Sequence, residues 1–454
     1  MKRKLFLTFF LCFALVFSMQ AQNKIEFTEY DLDNGLHVIL HQDKSTPIVA
    51  VTVLYHVGAK NEDPTRTGFA HFFEHLLFEG SENIGRGEYM KKIQSAGGAL
   101  NANTTNDRTF YYEVLPSNQL ELGLYMESER MLHAKIDQVG VDTQREVVKE
   151  EKRQRYDNQP YMSFQAKMFE NAFKGTNYEW STIGSLEHLN EATLDEFIEF
   201  YNTFYVPNNA TLSIAGDINI EETKKLVAKY FQEIPKGTKE IPRPTYTAKP
   251  AKKEVREVVY DNIQLPAVFQ GYNMPAQGTA DFYAMDMLNT LLSGGASSRL
   301  NKELVDKQEK ALQVVSFPFA MEDAGIFITL GLVSVGTDVG ELEAAMDAEI
   351  EKVKNELITD TEFQKIQNQV ENKFVSSNAT VSGIAESLAN YHVYFDDANL
   401  INNEIKRYNS VTKEDIKRVA NKYLTKENRV VLQYLPKSAQ KQPDNTDLNK
   451  EDKN

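Results

Sequence analysis

Residues Thr193 to Leu212 read TLDEFIEFYNTFYVPNNATL, and residues Thr412 to Val431 read TKEDIKRVANKYLTKENRVV. Laid over each other at an offset of 219 without a gap, Thr193 meets Thr412, and Asp195 and Glu196 meet Glu414 and Asp415. Phe197 then meets Ile416, Asn202 meets Asn421, Phe204 meets Tyr423, Asn209 meets Asn428 and Leu212 meets Val431. A threonine followed by acids opens a helix, and the apolar spacing after it continues one. The same offset carries Pro47 and the strand after it onto Pro266 and its strand. Common residues in any helix–turn–strand unit would give some of these matches, but together they point to an internal duplication. The fold expected is therefore α+β, built as two homologous domains over 22–235 and 256–436.

Between them, residues 236–255 hold Pro242, Pro244 and Pro250 among Lys and Thr with neither periodicity, which suits a linker. The tail 437–454 is polar and expected to be disordered. In the first half, Leu36–Leu40, Ile48–Leu54, Thr109–Val114 and Ala210–Gly216 read as strands. Gly68–Phe78, Gln119–Ile136, Thr143–Tyr156, Ser163–Phe173 and Thr193–Phe204 read as helices.

The chain has 454 residues, 41% hydrophobic and 25% charged, with 14 prolines, which excludes disordered, collagenous and multi-spanning classes. Its net charge of −15 argues against general affinity for nucleic acid or anionic lipid. Lys2, Arg3 and Lys4 precede an apolar run from Leu5 to Phe17, and Ala21 offers a small residue for cleavage, the layout of a signal peptide over 1–21. The run is shorter than the roughly 20 residues needed to span a bilayer, so cleavage is expected rather than a stable membrane anchor. The mature chain would be secreted or periplasmic. The sole cysteine, Cys12, lies inside this segment, so thiol chemistry and disulfides are excluded from the mature chain.

Gly68 to Gly80 reads GFAHFFEHLLFEG. On a helix, His71 and His75 project from one face and can reach one cation, with Glu74 beside the second histidine. Two imidazoles and one carboxylate leave an open coordination position on zinc, the layout of a catalytic rather than a structural site. Glu74, free of the metal, can take a proton from the attacking water and later pass it to the leaving amine. A histidine pair on a helix can also be two ordinary side chains. Here the surrounding helix is strongly apolar, and unpaired polar groups there are costly.

This inverted His-x-x-Glu-His order resembles the pitrilysin/insulinase family of zinc metallopeptidases, which includes the mitochondrial processing peptidases. The likeness continues through GGALNANTTNDRTFYYEVLP (Gly97 to Pro116), QREVVKEEKRQRYDNQP (Gln144 to Pro160), FYVPNNATLSIAGDI (Phe204 to Ile218) and SGGASSRL (Ser293 to Leu300). The resemblance implies antiparallel sheets packed with helices, the two domains forming half of a clamshell chamber. It implies one zinc ion per chain, held by His71, His75 and a third ligand 76 residues beyond the second histidine, which is Glu151. Locally, Thr143-x-x-Glu146 looks like a capping box that starts this helix, and Val147 and Val148 look like its buried face, which turns Glu151 inward. Glu150 is the rival ligand. The resemblance also makes Asn101 and Ala102 part of a strand that pairs with the substrate backbone. Trp180 is expected to be core or chamber wall.

Two departures matter. Where the family often has an assisting glutamate, this chain has Gln144. Where self-sufficient members carry an Arg and a Tyr in the second domain, it has Val305 and Leu312, and Arg299 falls too early to substitute. The region equivalent to the metal helix, Ala280 to Gly295, has no histidine or glutamate. The expectation is a zinc metalloendopeptidase acting on peptides or unfolded polypeptides through metal-activated water. A second homologous chain would supply the Arg/Tyr pair of a hetero-oligomer. Tyr272 or a backbone amide is the alternative donor. The rival functions are a non-catalytic peptide-binding or scaffold subunit with a structural zinc site, and a zinc hydrolase acting on a non-peptide amide.

Overall fold

The computed structural model describes residues 24–247 and 253–440. The expected signal peptide and most of the polar tail lie outside the described residues, as do residues 248–252 of the linker. Among the described residues, no helix is long and apolar enough to cross a membrane.

The strands are β1 (Thr28–Asp31), β2 (His37–Gln42), β3 (Ile48–Tyr55), β4 (Ala99–Thr104), β5 (Thr109–Pro116) and β6 (Ala210–Gly216) in the first half. The second half holds β7 (Val255–Asp261), β8 (Ala267–Met274), β9 (Ala311–Ala320), β10 (Gly325–Val333) and β11 (Arg429–Pro436). They form a sheet of order β1-β2-β6-β3-β5-β4 and one of order β7-β11-β8-β10-β9. Without β1 the two orders are the same. The offset of 219 maps β3 onto β8, and the helix Leu194–Phe204 onto Lys413–Tyr423. Both helices are opened by a threonine in a capping box, Thr193 with Glu196 and Thr412 with Asp415. The class is α+β, and the sheets are antiparallel except for one ladder in each, β2 with β6 and β7 with β11, which is parallel. The long helical excursion between these strands supplies the crossover that parallel pairing requires.

Each sheet buries one face on its own half's core: Val51, Val53, Phe72, Phe73, Tyr111 and Leu212 in the first, Val268, Leu288, Phe327 and Val431 in the second. The other face of each sheet is covered by a helix from the opposite half. Phe164–Ala172 lays Met168 and Phe169 on Phe269, Ile326 and Leu432. Val381–Phe395 lays Ile384, Ala385 and Leu388 on Ile39, Ala50 and Ala215. The first contact is close enough to require Gly271, since a Cβ there would come within 2.3 Å of Met168 Sδ. Charged clamps also cross the seam. Lys60, 4% exposed, meets Asp107 at 3.2 Å, Asp323 at 3.1 Å and Glu322, while Arg108 reaches Glu386 at 2.5 Å.

Residues 235–247 contain no helix or strand, and β7 begins at Val255. The expected start of the helix that carries Glu151 is corrected. Thr143 does not cap a helix; the helix runs Gln138–Lys152, its N-cap is Asp137, which accepts from Gly140 N, and Thr143 Oγ1 donates back to Val139 O. Aspartate at 137 is the stronger cap because its acceptor carries a charge at the positive end of the helix.

Candidate active site

The motif helix, Phe69–Leu76, buries Phe69, Phe72, Phe73 and Leu76 against the first core. That packing leaves one narrow stripe facing outward, and the stripe carries His71, Glu74 and His75. The helix Gln138–Lys152 packs beside it with Val148 fully buried. Val147, expected to be buried, is instead 43% exposed and borders the cleft with His75, Glu150, Glu151 and Arg155. Residues i and i+1 of a helix point about 100° apart, so only one of the two valines can face the core. Glu151, three residues after Val148, still points inward with its side chain 14% exposed. The rival Glu150 turns to solvent, 53% exposed, where Arg153 and Gln154 hold it.

His71 Nε2 and His75 Nε2 are 3.3 Å apart, and Glu151 Oε2 lies 3.0 Å from the second and 3.6 Å from the first. Donors placed about 2.0–2.1 Å from one tetrahedral zinc ion are about 3.3 Å from each other, so this triangle fits three corners of such a site. Glu151 Oε2 and His71 Nδ1 are buried without a hydrogen-bond partner among the described residues, and a cation at the triangle's centre would satisfy the carboxylate. Burial, aided by neighbouring His75, pushes the His71 pKa down to about 4, keeping its ring neutral. The His75 imidazole beside Glu151 lowers that carboxyl's pKa against the opposing effect of burial, with His71 and Arg155 adding to it. Arg155 Nη1 holds the other oxygen, Oε1, at 2.7 Å.

Glu74 is fixed from the next strand. Thr104 Oγ1, at the end of β4, donates to Glu74 Oε2 at 2.7 Å, and burial pushes the glutamate's pKa up against that bond. Strand β4 is the edge of its sheet, paired on one side only, with Asn101 opposite Tyr112 and Ala102 opposite Tyr111. Asn101 is exposed, and its Oδ1 accepts from Ala102 N at 2.9 Å. Beyond Thr104 the strand opens on a cavity of about 630 Å³ between the halves, walled by Arg108, Gln165, Phe282, Tyr283, Tyr391 and Tyr394.

The remaining expectations sort as follows. Gln144 Nε2 donates to Glu79, which also pairs with Arg86, so the amide is held but brings no acid. Val305 packs against the second core, and Leu312 is 53% exposed on β9. Arg299 is committed to Glu362 at 2.9 and 3.0 Å, and the Tyr272 hydroxyl is engaged with Gln270 and Arg429. Trp180 is more than wall, since its Nε1 donates to Ala59 O and Glu62. Thr104, Arg155 and Glu62 were not singled out from sequence; of these only Arg155, one turn after Glu151, carries a signal in spacing. Glu29, His37 and His392 also come together, but the two rings are stacked at 3.5 Å and 3°, so their in-plane lone pairs lie in separate planes and do not converge on one ion.

Comparison with known proteins gives the family and the fold. Residues 37–185 match the profile of the insulinase peptidase family M16, and residues 191–370 that of the M16 inactive domain. The chain is 32% identical to a zinc protease, PqqE, of Helicobacter pylori over 93% of this chain and 96% of that protein. A crystal structure of a protease from Helicobacter pylori superposes with a TM-score of 0.86 at 30% identity, covering 90% of this chain and 100% of that one. The periplasmic protease PqqL of Escherichia coli shares the fold at TM-score 0.75 and 18% identity, and there 90% of this chain covers 47% of the longer chain.

Proposed function

Because the chain belongs to the insulinase (M16) peptidase family, we propose that it is an exported zinc metalloendopeptidase that hydrolyses peptides or unfolded polypeptides. The observation that carries the reading is the His71, His75 and Glu151 triangle with Glu74 held beside it by Thr104. One zinc ion per chain would be held by these three side chains and, when bound, supplies Lewis acidity that acidifies a water molecule and polarises the scissile carbonyl. Glu74 removes the proton from the attacking water and delivers it to the leaving amine. Its hydrogen bond from Thr104 fixes one oxygen and leaves the other to face the substrate. Asn101 and Ala102 offer the free edge of β4 to an extended peptide, which displaces the Asn101 side chain from Ala102 N and pairs with the strand.

A second homologous chain is part of the proposal. Val305 and Leu312 cannot donate a hydrogen bond, Arg299 and Tyr272 are engaged elsewhere, and an oxyanion donor is worth about 2.7–4 kcal/mol of transition-state stabilisation. The partner would contribute the Arg/Tyr pair and close the chamber of which this chain forms half. That the chain spans about half of the PqqL chain supports the need for a second pair of domains. Export rests on residues 1–21, removed as a signal peptide to leave no stable membrane anchor. The same missing donors favour the second reading, a peptide-binding or scaffold subunit with a structural zinc site.

The test is cleavage of an unstructured fluorogenic peptide library by the zinc-loaded mature chain, alone and with a homologous chain carrying the Arg/Tyr pair. Activity in the mixture only is the expected result. Activity of the chain alone overturns the divided site, and silence in both with zinc bound favours the scaffold reading.

A further inference from the structure

The motif helix starts at Gly68, whose φ is +97° and which has no side chain to cap the helix. The first N–H groups of a helix have no partner inside it, so something else must meet them. Glu62 does so from outside. Its Oε2 accepts from Gly68 N at 2.8 Å and its Oε1 from Ala70 N at 2.9 Å, while Trp180 Nε1 donates to Oε2 at 3.0 Å. The residue is 3% exposed, and burial pushes its pKa up to about 8 against the pull of these donors. Two of the donors are backbone N–H groups at the positive end of the helix and the third is the Trp180 indole, so both oxygens must accept, which the NH2 of an amide cannot do. The turn it sits in is itself tied down, because Lys60, two residues earlier, is clamped by Asp107, Glu322 and Asp323. A second constraint fixes the same point. A Cβ on Gly184 would lie 2.3 Å from Gly68 N, so the helix start is pressed against the loop after Trp180 with no space to shift.

His71 is the third residue of this helix, within the turn that Glu62 holds. We infer that Glu62 is a positioning residue of the zinc site: it fixes the height and rotation of the first turn so that His71 Nε2 meets His75 and Glu151 at the spacing a zinc ion needs. The inference rests on the reading that His71, His75 and Glu151 hold zinc. Glu62 touches neither metal nor substrate. It acts through the backbone that carries His71, and through Lys60 it makes the metal-free second half a contributor to the geometry of the site.

The experiment is a zinc competition titration against a chromophoric chelator, run on the metal-stripped mature chain and on Glu62→Gln, Glu62→Asp and Trp180→Phe, with the cobalt-substituted visible spectrum recorded for each. Glu62→Gln, isosteric but with an NH2 forced against Gly68 N or Ala70 N, should bind zinc about tenfold more weakly, the low end of the loss seen when an outer partner of a metal site is removed. Its cobalt spectrum should change, and Glu62→Asp should recover part of the affinity. Trp180→Phe, which removes one donor and keeps the charge, should give a smaller loss. Gly271→Ala, which strains the seam far from the motif helix, serves as the control that lowers thermal stability without altering zinc affinity. If Glu62→Gln and Trp180→Phe both bind zinc as the parent does, with an unchanged cobalt spectrum, the inference is overturned. If Glu62→Gln fails to fold, Trp180→Phe decides. If the parent chain binds no zinc, or Glu151→Gln binds it equally well, the zinc assignment itself falls and the role of Glu62 with it.

Discussion

Glu74 and Glu151, two carboxylates beside the same histidine pair, are held in different ways, which suits them to the different roles proposed for them. Glu74 is pinned by a hydroxyl and raised by burial; Glu151 is lowered by imidazole contact. Glu74→Gln should therefore retain zinc by elemental analysis and lose at least about a hundredfold in kcat, the lower bound for removing a general acid–base. Glu151→Gln should instead lose zinc during dialysis and regain activity in excess metal. Thr104→Val, which frees Glu74 without touching the triangle, should lower kcat while zinc content and KM stay near the parent values. The histidines and Glu74 were legible because a spacing of four on an apolar helix has few other uses. Glu151 needed the resemblance, since two adjacent glutamates and two adjacent valines leave a helix's rotation undecided; burial of Val148 alone settles it. Thr104 and Glu62 were not legible, because each reaches the site from a different element.

Among the elements, β4 and the seam turn at Glu322 and Asp323 carry the testable weight. Burial raises the Glu322 pKa, but His56 at 2.8 Å and Lys60 outweigh it and hold the group down to about 2. A carboxyl depressed in the folded state stabilises above its unfolded pKa, near 4.5, and loses that contribution as pH falls toward 2. The melting temperature of Glu322→Gln should accordingly lie below that of the parent at pH 7, and the gap should narrow between about pH 5 and pH 2. Lys60→Met should cost more, about 3–5 kcal/mol in denaturant unfolding, because it strands Asp107 beside two other acids. Elements such as β6 and Leu194–Phe204 were readable to within a residue or two, whereas the helix expected over Gln119–Ile136 runs Leu120–Leu132 and stops four residues early. The start of Gln138–Lys152 was misplaced because Thr143 and Glu146 fit the capping pattern equally well when Asp137 is not considered.

For the molecule as a whole, the repeat read from Thr193 and Thr412 correctly announced two sheets of the same strand order. It could not announce that the halves cover each other, because a helix such as Phe164–Ala172 looks the same in sequence whichever sheet receives it. Gly271→Ala should destabilise by about 1–3 kcal/mol, as overpacking does, and Met168→Ala in the same chain should recover part of the loss. Unfolding followed by calorimetry and by near-ultraviolet circular dichroism should give one coincident transition. Expressed separately, neither half should show a native near-ultraviolet spectrum.

The exchanged helices also dictate an order of events. A chain delivered N-terminus first, from a ribosome or through a translocation channel, can pair β1 to β6 once about half its length has emerged. The back of that sheet nevertheless stays bare until Val381–Phe395 arrives, near the C-terminal end. Until then Ile39, Ala50 and Ala215 present an oily surface that only the last sixth or so of the polypeptide can mask. The first half thus spends about a third of the delivery, between the emergence of residue 216 and that of residue 381, with this face bare, and any truncation before residue 381 leaves it bare permanently.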